Sequence, residues 1–334
     1  MLKHEIKIGF IGTGFVSLLH KAAIEKIRNA RLVGIYDKDQ NVAKKREVEW
    51  GVKSFATIDE LIHSPEIDAI FILTPVENHF EHAKKVMEAK KHLLIEKPVA
   101  VSVEEGRELA RLAEIAGVIC MPGHNYIYNP SIWRLKRMID REEMGDIVAG
   151  WIHYCIGHSD EIFVRYPGVI TQILSHHAYS LLYLLGRPKR LFAMATETRP
   201  NKTGKEDQSF ITIEMPNGAL VNLFVSIRTD DLTSVPGPFM IKILGTDGGG
   251  VHTWREGVNN KQVGTHPESW IPYDESYEFE VEHFVTCILG DKQPLSTIQD
   301  AVDTQIIIES AIKSVTDKTV IDIDWEIQSA KVQV

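Results

Sequence analysis

Short apolar runs alternate with helix-periodic stretches through the first third of the chain. The run Ile6–Ile11 precedes a helical stretch that extends to Arg28, and the alternation recurs as far as Val118–Met121. Strands separated by helices of about 10–15 residues indicate a doubly wound parallel sheet. We therefore predict an α/β domain over residues 1–123. Its predicted strands cover 6–11, 31–37, 52–55, 67–73, 92–97 and 118–121. Its later predicted helices cover 40–50, 58–63 and 103–116, and a further helix opens within 74–79 and runs to 89.

After residue 123 the pattern changes, and strands follow one another with little helix between them. Asn217-Gly218, a dipeptide that favours a tight hairpin turn, separates two of these strands. We predict a C-terminal α+β domain over residues 124–334 with a large, mostly antiparallel, open-faced sheet and a tail from 325. The predicted strands cover 147–156, 190–198, 208–214, 219–227, 240–244 and 250–254, and the predicted helices 130–140, 170–185, 276–289 and 298–315.

Composition and charge exclude several classes of protein. The net charge is −9 and no Lys/Arg run occurs, which argues against nucleic-acid and membrane partners. No apolar run approaches the roughly 18 residues of a membrane span, and a strand pattern follows the amino terminus without a signal peptide. Cys120, Cys155 and Cys287 lie far apart, which suits free thiols in a reducing compartment and argues against a zinc site. We expect a soluble cytoplasmic protein that binds no metal.

A glycine-rich turn follows the first predicted strand. The segment Gly12-Thr13-Gly14-Phe15-Val16-Ser17 has the form GxGxx(small) between a strand and a helix. Here Gly12 permits the tight bend, Gly14 lets a pyrophosphate approach the backbone, and Ser17 lets the helix pack closely on the strand. In this context the pattern is a dinucleotide-binding fingerprint and indicates a Rossmann domain. The candidate cofactor contacts in the turn are Gly12, Thr13, Gly14, Phe15 and Val16.

Asp37 ends the second predicted strand. A carboxylate there accepts hydrogen bonds from the ribose hydroxyls of NAD and repels the 2′-phosphate of NADP. We therefore expect NAD as cofactor, with NADP possible because Lys38 places a cation next to Asp37. The competing interpretation is that Asp37 is the N-cap of the helix that starts near Asn41.

The stretch His92–Pro98 delivers a lysine to one edge of the predicted sheet. Its apolar strand stops at Pro98, which lacks the N–H needed to continue a ladder. Glu96 and Lys97 therefore stand at the carboxyl end of a strand, where open α/β sheets bind their ligands. The simpler interpretation of such a lysine is a solvated strand end.

A polar stripe marks the predicted helix 170–185. Gln172, His176 and Tyr179 are spaced i, i+4 and i+7, so they share one face. A histidine there can handle a proton near neutral pH. The plainer alternative is a satisfied, half-buried histidine, and we expect His177, its neighbour, to be one.

Together these motifs resemble the Gfo/Idh/MocA-type oxidoreductases, NAD(P)-dependent sugar and polyol dehydrogenases that include inositol dehydrogenase and glucose–fructose oxidoreductase. The resemblance covers nearly the whole chain. It rests on Gly12-Thr13-Gly14, Thr74-Pro75 with His79, Glu96-Lys97-Pro98, Asn125 with Pro130, and His176 ten residues before Gly186.

The resemblance implies a mechanism and a set of contacts. It implies that Lys97 and His176 are catalytic and handle the proton of a ring hydroxyl, while hydride passes between its carbon and the nicotinamide. It further implies a homodimer or homotetramer in which another subunit covers the open sheet face. The implied cofactor contacts are Thr74, Pro75, His79, Glu96 and Lys97, and the implied substrate contacts are Lys97, Asn125, Tyr128, Gln172, His176 and Tyr179.

The chain departs from the family pattern at three positions. The usual Asp residues before and after the histidine are Gln172 and Tyr179, and the usual Arg of the segment 125–130 is Ile127. Gln172 can bind a sugar hydroxyl but cannot relay a proton. We interpret the polyol site as altered, with Tyr179 or Tyr128 able to contribute a hydroxyl.

Three functions remain open. The first is an NAD-dependent dehydrogenase that acts on a secondary hydroxyl of a cyclic polyol, sugar or glycoside. Tyr179 on the altered helix face favours an NAD-assisted, redox-neutral glycosidase, and the loss of the Asp at position 172 favours a non-catalytic NAD-sensing regulator. Further candidate sugar contacts, in or near the predicted loop 157–168, are His153, His158, Asp160, Arg165 and Tyr166.

Overall fold

The computed structural model of the chain describes residues 5–164, 167–198, 204–231, 238–253, 271–290 and 292–326. Two compact units are present, and each is built from two segments. The first unit combines Met1–Tyr128 with Asp274–Val302, and the second combines Asn129–Tyr273 with Asp303–Val334. The domain boundary at residue 123 stays a prediction. The two units differ from it mainly because the segment Asp274–Val302 belongs to the first unit.

The first unit contains a parallel sheet. Its described strands are β1 (Ile6–Ile11), β2 (Ala30–Tyr36), β3 (Lys53–Ser54), β4 (Ala69–Ile72), β5 (His92–Glu96) and β6 (Cys120–Gly123). They lie in the order β3-β2-β1-β4-β5-β6, so the strand order reverses between β1 and β4, where doubly wound sheets bind ligands. Ile8, Phe10, Ile70 and Leu93 are completely buried, as in a sheet covered on both faces. The predicted Rossmann domain is confirmed.

The second unit contains a mixed sheet. Its described strands are β7 (Ile147–Cys155), β8 (Arg190–Thr196), β9 (Gln208–Glu214), β10 (Leu220–Ser226), β11 (Phe239–Gly245), β12 (Gly249–Thr253) and β13 (Ile321–Asp322). They lie in the order β12-β11-β7-β10-β9-β8-β13; β7 pairs with β10 in parallel, and the other described neighbours are antiparallel. Trp151, Met194 and Phe210 are exposed on one face. The predicted mostly antiparallel, open-faced sheet is confirmed, with Gly218 (φ +87°) in the hairpin between β9 and β10.

Capping residues set the ends of several helices at the positions that the sequence predicts. The described helices are α1 (Phe15–Lys26), α2 (Gln40–Trp50), α3 (Ile58–Ile62), α4 (His79–Glu88), α5 (Val103–Ala116), α6 (Pro130–Asp140), α7 (Asp160–Phe163), α8 (Val169–Gln172), α9 (Leu174–Leu185), α10 (Ile271–Ile288) and α11 (Ile298–Asp317). Asp39, Ser102 and Asn129 cap α2, α5 and α6 with side-chain oxygens. Gly51 and Gly117 end α2 and α5 in the left-handed conformation. The predicted bounds of these three helices are confirmed.

Other elements differ from the prediction. The predicted helix 170–185 is divided at Ile173 into α8 and α9, and the predicted strand 118–121 begins two residues later, at Cys120. The predicted loop 157–168 contains the one-turn helix α7, and the pair β8–β13 was missed because Ile321–Asp322 is too short to form an apolar run. Residue 254 of the last predicted strand and residues 327–334 of the predicted tail lie outside the described residues.

Candidate active site

The glycine turn after β1 leaves room for an anionic group. Gly12 has a φ of +97°, and a Cβ there would lie 2.8 Å from the carbonyl oxygen of Leu73, so a larger residue is excluded. A Cβ on Gly14 would meet no described atom within 4 Å, and this N-cap of α1 provides no side-chain hydrogen bond to the first helical turn. An uncapped helix N-terminus beside open space suits a phosphate group, so the turn fits the pyrophosphate of NAD. Beside it Phe15 is exposed and Val16 is half-buried.

Asp37 is held beneath this turn by Thr13. Its Oδ2 accepts hydrogen bonds from the backbone N–H and the hydroxyl of Thr13, at 2.9 and 2.7 Å, and its Oδ1 accepts one from the N–H of Asp39 at 3.0 Å. A carboxylate accepts about four hydrogen bonds, so Oδ1 retains capacity for a ribose hydroxyl. The N-cap interpretation of Asp37 is wrong, because Asp39 caps α2 by accepting from the N–H of Asn41 at 2.9 Å.

His79 ties together the segments that follow β4 and β5. Its Nε2 lies 2.7 Å from the carbonyl oxygen of Thr74, and its Nδ1 lies 2.8 Å from that of Pro98. Both oxygens only accept, so the neutral ring hydrogen-bonds one of them and the imidazolium both. Burial lowers the pKa of His79, and the two carbonyl groups oppose that shift. The cofactor contact of His79 stays a prediction, since the ring is buried and both nitrogens face backbone; Pro75 is exposed and Thr74 half-buried.

Glu96, the last residue of β5, uses both carboxylate oxygens to organise its surroundings. Its Oε2 accepts the backbone N–H of Lys97 at 3.0 Å, and its Oε1 lies 2.9 Å from Nε2 of His20. Burial lowers the pKa of the Lys97 amine, and the charge of Glu96 opposes that shift. Burial, followed by the charge of Lys97, lowers the pKa of His124 to about 3. Lys97 is thus partly desolvated at the carboxyl edge of the parallel sheet.

Two buried titratable residues near Glu96 were not predicted from the sequence. His20 lies on the buried face of α1 together with Ser17 and Ile24, and Glu280 on α10 is completely buried one turn before Phe284. A signal existed in each case, because both residues fall in register with the apolar stripe of their helix. A charged residue in such a stripe is rare unless it is paired.

Two predicted substrate contacts are buried within the first unit. The amide Nδ2 of Asn125 donates to the hydroxyl of Ser276 at 2.9 Å. Tyr128 is completely buried; its hydroxyl donates to the sulfur of Met121 at 3.3 Å and its ring packs 5.3 Å from that of His283. A role for Tyr128 at a substrate stays a prediction, but its burial argues for a core residue.

The second unit brings His176 and Tyr179 together. Nδ1 of His176 lies 2.7 Å from the Tyr179 hydroxyl, and both side chains are buried. Gln172 is half-buried and belongs to α8, so the predicted single face of three residues is interrupted by the break between the helices. Glu206 fixes the start of α8 by accepting the N–H of Ile170 at 3.1 Å. That contact joins residues 36 positions apart, which helical periodicity does not reveal.

His177 and His153 lie on opposite sides of the second sheet. Nε2 of His177 donates to the carbonyl oxygen of Phe224 at 3.0 Å, and burial lowers its pKa to about 4. The ring is completely buried rather than half-buried as expected, and its Nδ1 has no hydrogen-bond partner among the described residues. Tyr154 packs its ring 6.4 Å from that of His177, whereas His153 follows the opposite face, 5.1 Å from the ring of Phe224 and 3.7 Å from Asp231. His153 is nevertheless close enough to α9 for its charge to help lower the pKa of His177, although burial is the main cause of that shift.

The segment after β7 is described in part. The Tyr154 hydroxyl lies 3.1 Å from Nε2 of His158. His158, a predicted sugar contact, therefore has a partner on the preceding strand, β7. Asp160 begins α7. Arg165 and Tyr166, both predicted sugar contacts, lie outside the described residues.

Neither a membrane span nor a metal site is found in the part of the chain that the structure describes. No helix there combines the length and apolar character needed to cross a bilayer. No group of three or more His, Cys, Asp or Glu side chains there is arranged to hold a metal ion.

Two domain families match the chain. Residues 6–124 match GFO_IDH_MocA, the oxidoreductase family with an NAD-binding Rossmann fold. Residues 132–250 match the GFO/IDH/MocA C-terminal domain. The matches fall on the two sheets described above.

Individual proteins extend this likeness over most of the chain. Glucose-6-phosphate 3-dehydrogenase of Bacillus subtilis is 27% identical over 333 residues, which cover 91% of this chain and 94% of the relative. The NAD-dependent scyllo-inositol 2-dehydrogenase of the same organism is 26% identical over 315 residues, 90% of this chain and 91% of the relative. The scyllo-inositol dehydrogenase of Lactobacillus casei, solved with NAD(H) and scyllo-inositol, superposes with a TM-score of 0.85 at 18% identity, covering 96% and 99% of the two chains. At that identity the structural match shows the fold alone.

Proposed function

Because the chain belongs to the Gfo/Idh/MocA oxidoreductase family, whose Rossmann domain binds NAD, we propose that it is a dehydrogenase of a secondary hydroxyl in a cyclic polyol, sugar or glycoside. The observation that best supports this is the shared edge of the parallel sheet. The glycine turn follows β1, and Lys97 follows β5, both at carboxyl ends. A cofactor site and a desolvated amine at one edge suit hydride transfer coupled to proton transfer.

The cofactor is held by the first unit. The turn from Gly12 to Gly14 with the start of α1 receives the pyrophosphate, and Asp37 receives a ribose hydroxyl. When bound, NAD supplies the acceptor for the hydride of the substrate carbon. The carboxylate favours NAD over NADP, since a 2′-phosphate would meet like charge.

Lys97 and His176 handle the proton. As the C–H hydride leaves, the hydroxyl proton passes to a neutral amine at Nζ of Lys97, and a ketone forms. Burial favours this neutral form because the charged amine is the form that desolvation penalises. On His176, Nδ1 lies 2.7 Å from the Tyr179 hydroxyl, so Tyr179 helps to orient the ring. Gln172 and Asn125 remain proposed substrate contacts.

The assay for this proposal follows NADH absorbance over sugars, sugar phosphates, inositols and glycosides, with NAD and NADP in parallel. We expect one compound class to give substrate-dependent reduction of NAD. Lys97→Met, which keeps the length of the side chain and removes the amine, should lower kcat/KM by about 10²–10⁴-fold. NAD should still bind, as calorimetry would show, because the glycine turn and Asp37 are unchanged.

Lys84→Met is the matched control. Lys84 is exposed on α4, so this variant makes the same Lys-to-Met change in the same unit, away from the site, and should keep wild-type activity. The proposal would be contradicted if the wild type formed no NADH with any compound of the panel, or if Lys97→Met kept full activity.

The contact between His176 and Tyr179 favours a second candidate. A tyrosine hydroxyl 2.7 Å from a histidine can serve as an acid–base pair in NAD-assisted glycoside cleavage. In that reaction hydride passes from the carbon of a hydroxyl group to NAD, a proton α to the resulting ketone is removed as the aglycone is eliminated, water adds to the double bond in place of the aglycone, and hydride then returns from NADH to the ketone. Release of nitrophenol from nitrophenyl glycosides without net NADH would identify this activity, and its absence would remove it.

A further inference from the structure

A buried ion pair in the second unit joins the ends of two strands. Asp207, directly before β9, is completely buried, and its Oδ2 accepts a hydrogen bond at 2.7 Å from Nε of Arg228, which follows β10. The Arg228 side chain is only 12% exposed, so both charges are withdrawn from water. Oδ1 of Asp207 also accepts hydrogen bonds from the N–H and the hydroxyl of Thr198, at 3.0 and 3.2 Å. Charge-assisted hydrogen bonds of this kind fix the three residues relative to one another.

Arg228 also anchors the short helix α7. Its guanidinium carbon Cζ lies over the ring of Phe163, 5.3 Å from the ring centre, which is within the range of a cation–π contact. Phe163 is 1% exposed, whereas its neighbours Ile162 and Val164 are exposed. Phe163 is therefore the point at which this segment is attached to the rest of the second unit.

The residues around Arg228 hold the beginning of the same segment. The N–H of His158 donates to the carbonyl oxygen of Ile227 at 2.8 Å, and the N–H of Gly157 donates to Oδ1 of Asp230 at 2.9 Å. The chain that leaves β7 is thus bound to the chain that leaves β10, on both sides of Arg228 in the sequence.

Glu206, the residue before Asp207, holds the start of α8. Its carbonyl oxygen accepts the N–H of Val169 at 3.2 Å, and its Oε1 accepts the N–H of Ile170 at 3.1 Å. Gly168 has a φ of +125°, and a Cβ there would overlap the Glu206 carboxylate, so the two residues are in close contact. Because Asp207 follows Glu206 directly, a displacement of Asp207 would move the groups that receive α8.

We propose that Arg228 is a positioning residue for substrate binding, because it joins Phe163 of α7 to Asp207 and so fixes the place of Gln172 at the end of α8. The proposal rests on the proposed function, in which Gln172 is a substrate contact. Buried ion pairs add little stability compared with apolar packing, and their best-attested role is to specify one arrangement. The guanidinium suits that role, since it donates along one direction to the carboxylate and stacks by its plane on the ring.

The test compares Arg228→Lys with Arg187→Lys. Lysine keeps a charge opposite Asp207, so the buried carboxylate is not left unpaired, but it lacks the Nε donor and the plane that stacks on Phe163. Arg187 is the matched control in the same unit. Its Nε donates to Oδ2 of Asp303 on α11 at 2.6 Å, and its Cζ lies 5.1 Å from the ring centre of Trp325.

Two measurements show the effect. By amide hydrogen exchange of the cofactor-free chain, peptides that cover 157–164 and 168–172 should exchange about tenfold faster or more in Arg228→Lys, and at the wild-type rate in Arg187→Lys. With a sugar that supports NADH formation, the KM for the sugar should rise by about tenfold or more in Arg228→Lys, while kcat and the Kd for NAD stay within about twofold of the wild type. This separation is expected because the variant displaces a substrate contact but leaves Lys97, His176 and the glycine turn in place.

The proposal is overturned if Arg228→Lys exchanges like the wild type over these segments or keeps the wild-type KM. It is equally overturned if kcat and NAD affinity fall together with sugar affinity, which indicates a general loss of structure, or if Arg187→Lys shows the same changes. Should Arg228→Lys not fold, Phe163→Leu provides the same test, because it keeps the ion pair and removes only the ring beneath the guanidinium. A wild type without dehydrogenase activity would contradict the proposed function, whereas hydrogen exchange would still decide whether Arg228 holds the segment.

Discussion

Asp37 accepts two hydrogen bonds from Thr13, so its carboxylate is oriented before any cofactor arrives. We expect Asp37→Asn to raise the affinity for NADP relative to NAD by about tenfold or more. The amide keeps the shape of the side chain but removes its repulsion of a 2′-phosphate. For two unit charges 4 Å apart this repulsion is worth roughly 1 kcal/mol in water and roughly 4 kcal/mol near a protein surface. Calorimetric titrations with NAD and NADP, without substrate, measure the ratio.

Asp39→Asn is the control for this prediction. Asp39 lies two residues further on and caps α2, and asparagine caps a helix equally well, so this variant removes the same charge without losing the cap. Its ratio of NADP to NAD affinity should match the wild type. A similar shift in both variants would assign the effect to general charge and contradict a specific role for Asp37.

At the scale of elements, His177 couples the packing of α9 to pH. Burial lowers its pKa to about 4 in the folded chain, against an ordinary value of about 6.5 in an unfolded one. The unfolded state therefore binds more protons between these values, and the stability contributed by His177 is complete at pH 7 and is lost as the pH falls. From pH 7 to pH 5 the loss should be roughly 2 kcal/mol.

Urea unfolding at pH 7 and pH 5 measures this effect. His177→Gln keeps a donor for the carbonyl oxygen of Phe224, 3.0 Å from Nε2 of the histidine, but cannot be protonated. Its loss of stability between the two pH values should be smaller than that of the wild type by about that amount. Equal losses in both proteins would show that His177 titrates normally in the folded state.

Elements whose signals are local were predictable from sequence. The helices that begin after Asp39 and Ser102 carry their own caps, and the glycine turn needs the small, buried Ser17, whose hydroxyl donates to the carbonyl oxygen of Gly14 at 2.5 Å. The break between α8 and α9 was not predictable, because Glu206 holds the start of α8 from 36 residues away. Helical periodicity continues through the break, so pattern alone gives one helix.

At the scale of the whole molecule, the cluster around Glu96 depends on contacts that sequence spacing does not show. His20 and Glu96 are 76 residues apart, and Asn125 meets Ser276 across 151. The sequence places Lys97 at a strand end because that signal is local. It does not show that α10 returns to the first unit and brings Glu280 with it, since a charged residue on an apolar stripe indicates burial but names no partner.

The exposed face of the second sheet supports the expected homo-oligomer. Met194, Phe210, Phe224, His153 and Met240 stand in register across five neighbouring strands, and Phe210 is 53% exposed while stacked 4.3 Å from Phe224. In this row Met194 and Phe210 are exposed, whereas Phe224 and His153 are half-buried and Met240 is buried. A second subunit would cover the exposed pair.

Phe210→Asp tests that expectation. A charge at the centre of a subunit contact loses the burial of an aromatic ring and adds an unpaired carboxylate, so the dissociation constant should rise by about 100-fold or more. Light scattering coupled to gel filtration should show the wild type as a dimer or tetramer and the variant as a smaller species. Val48→Asp, at a residue 84% exposed on α2, is the matched control and should keep the wild-type mass. Equal masses for wild type and Phe210→Asp would mean that this face is not the contact, and its apolar row would then need another occupant.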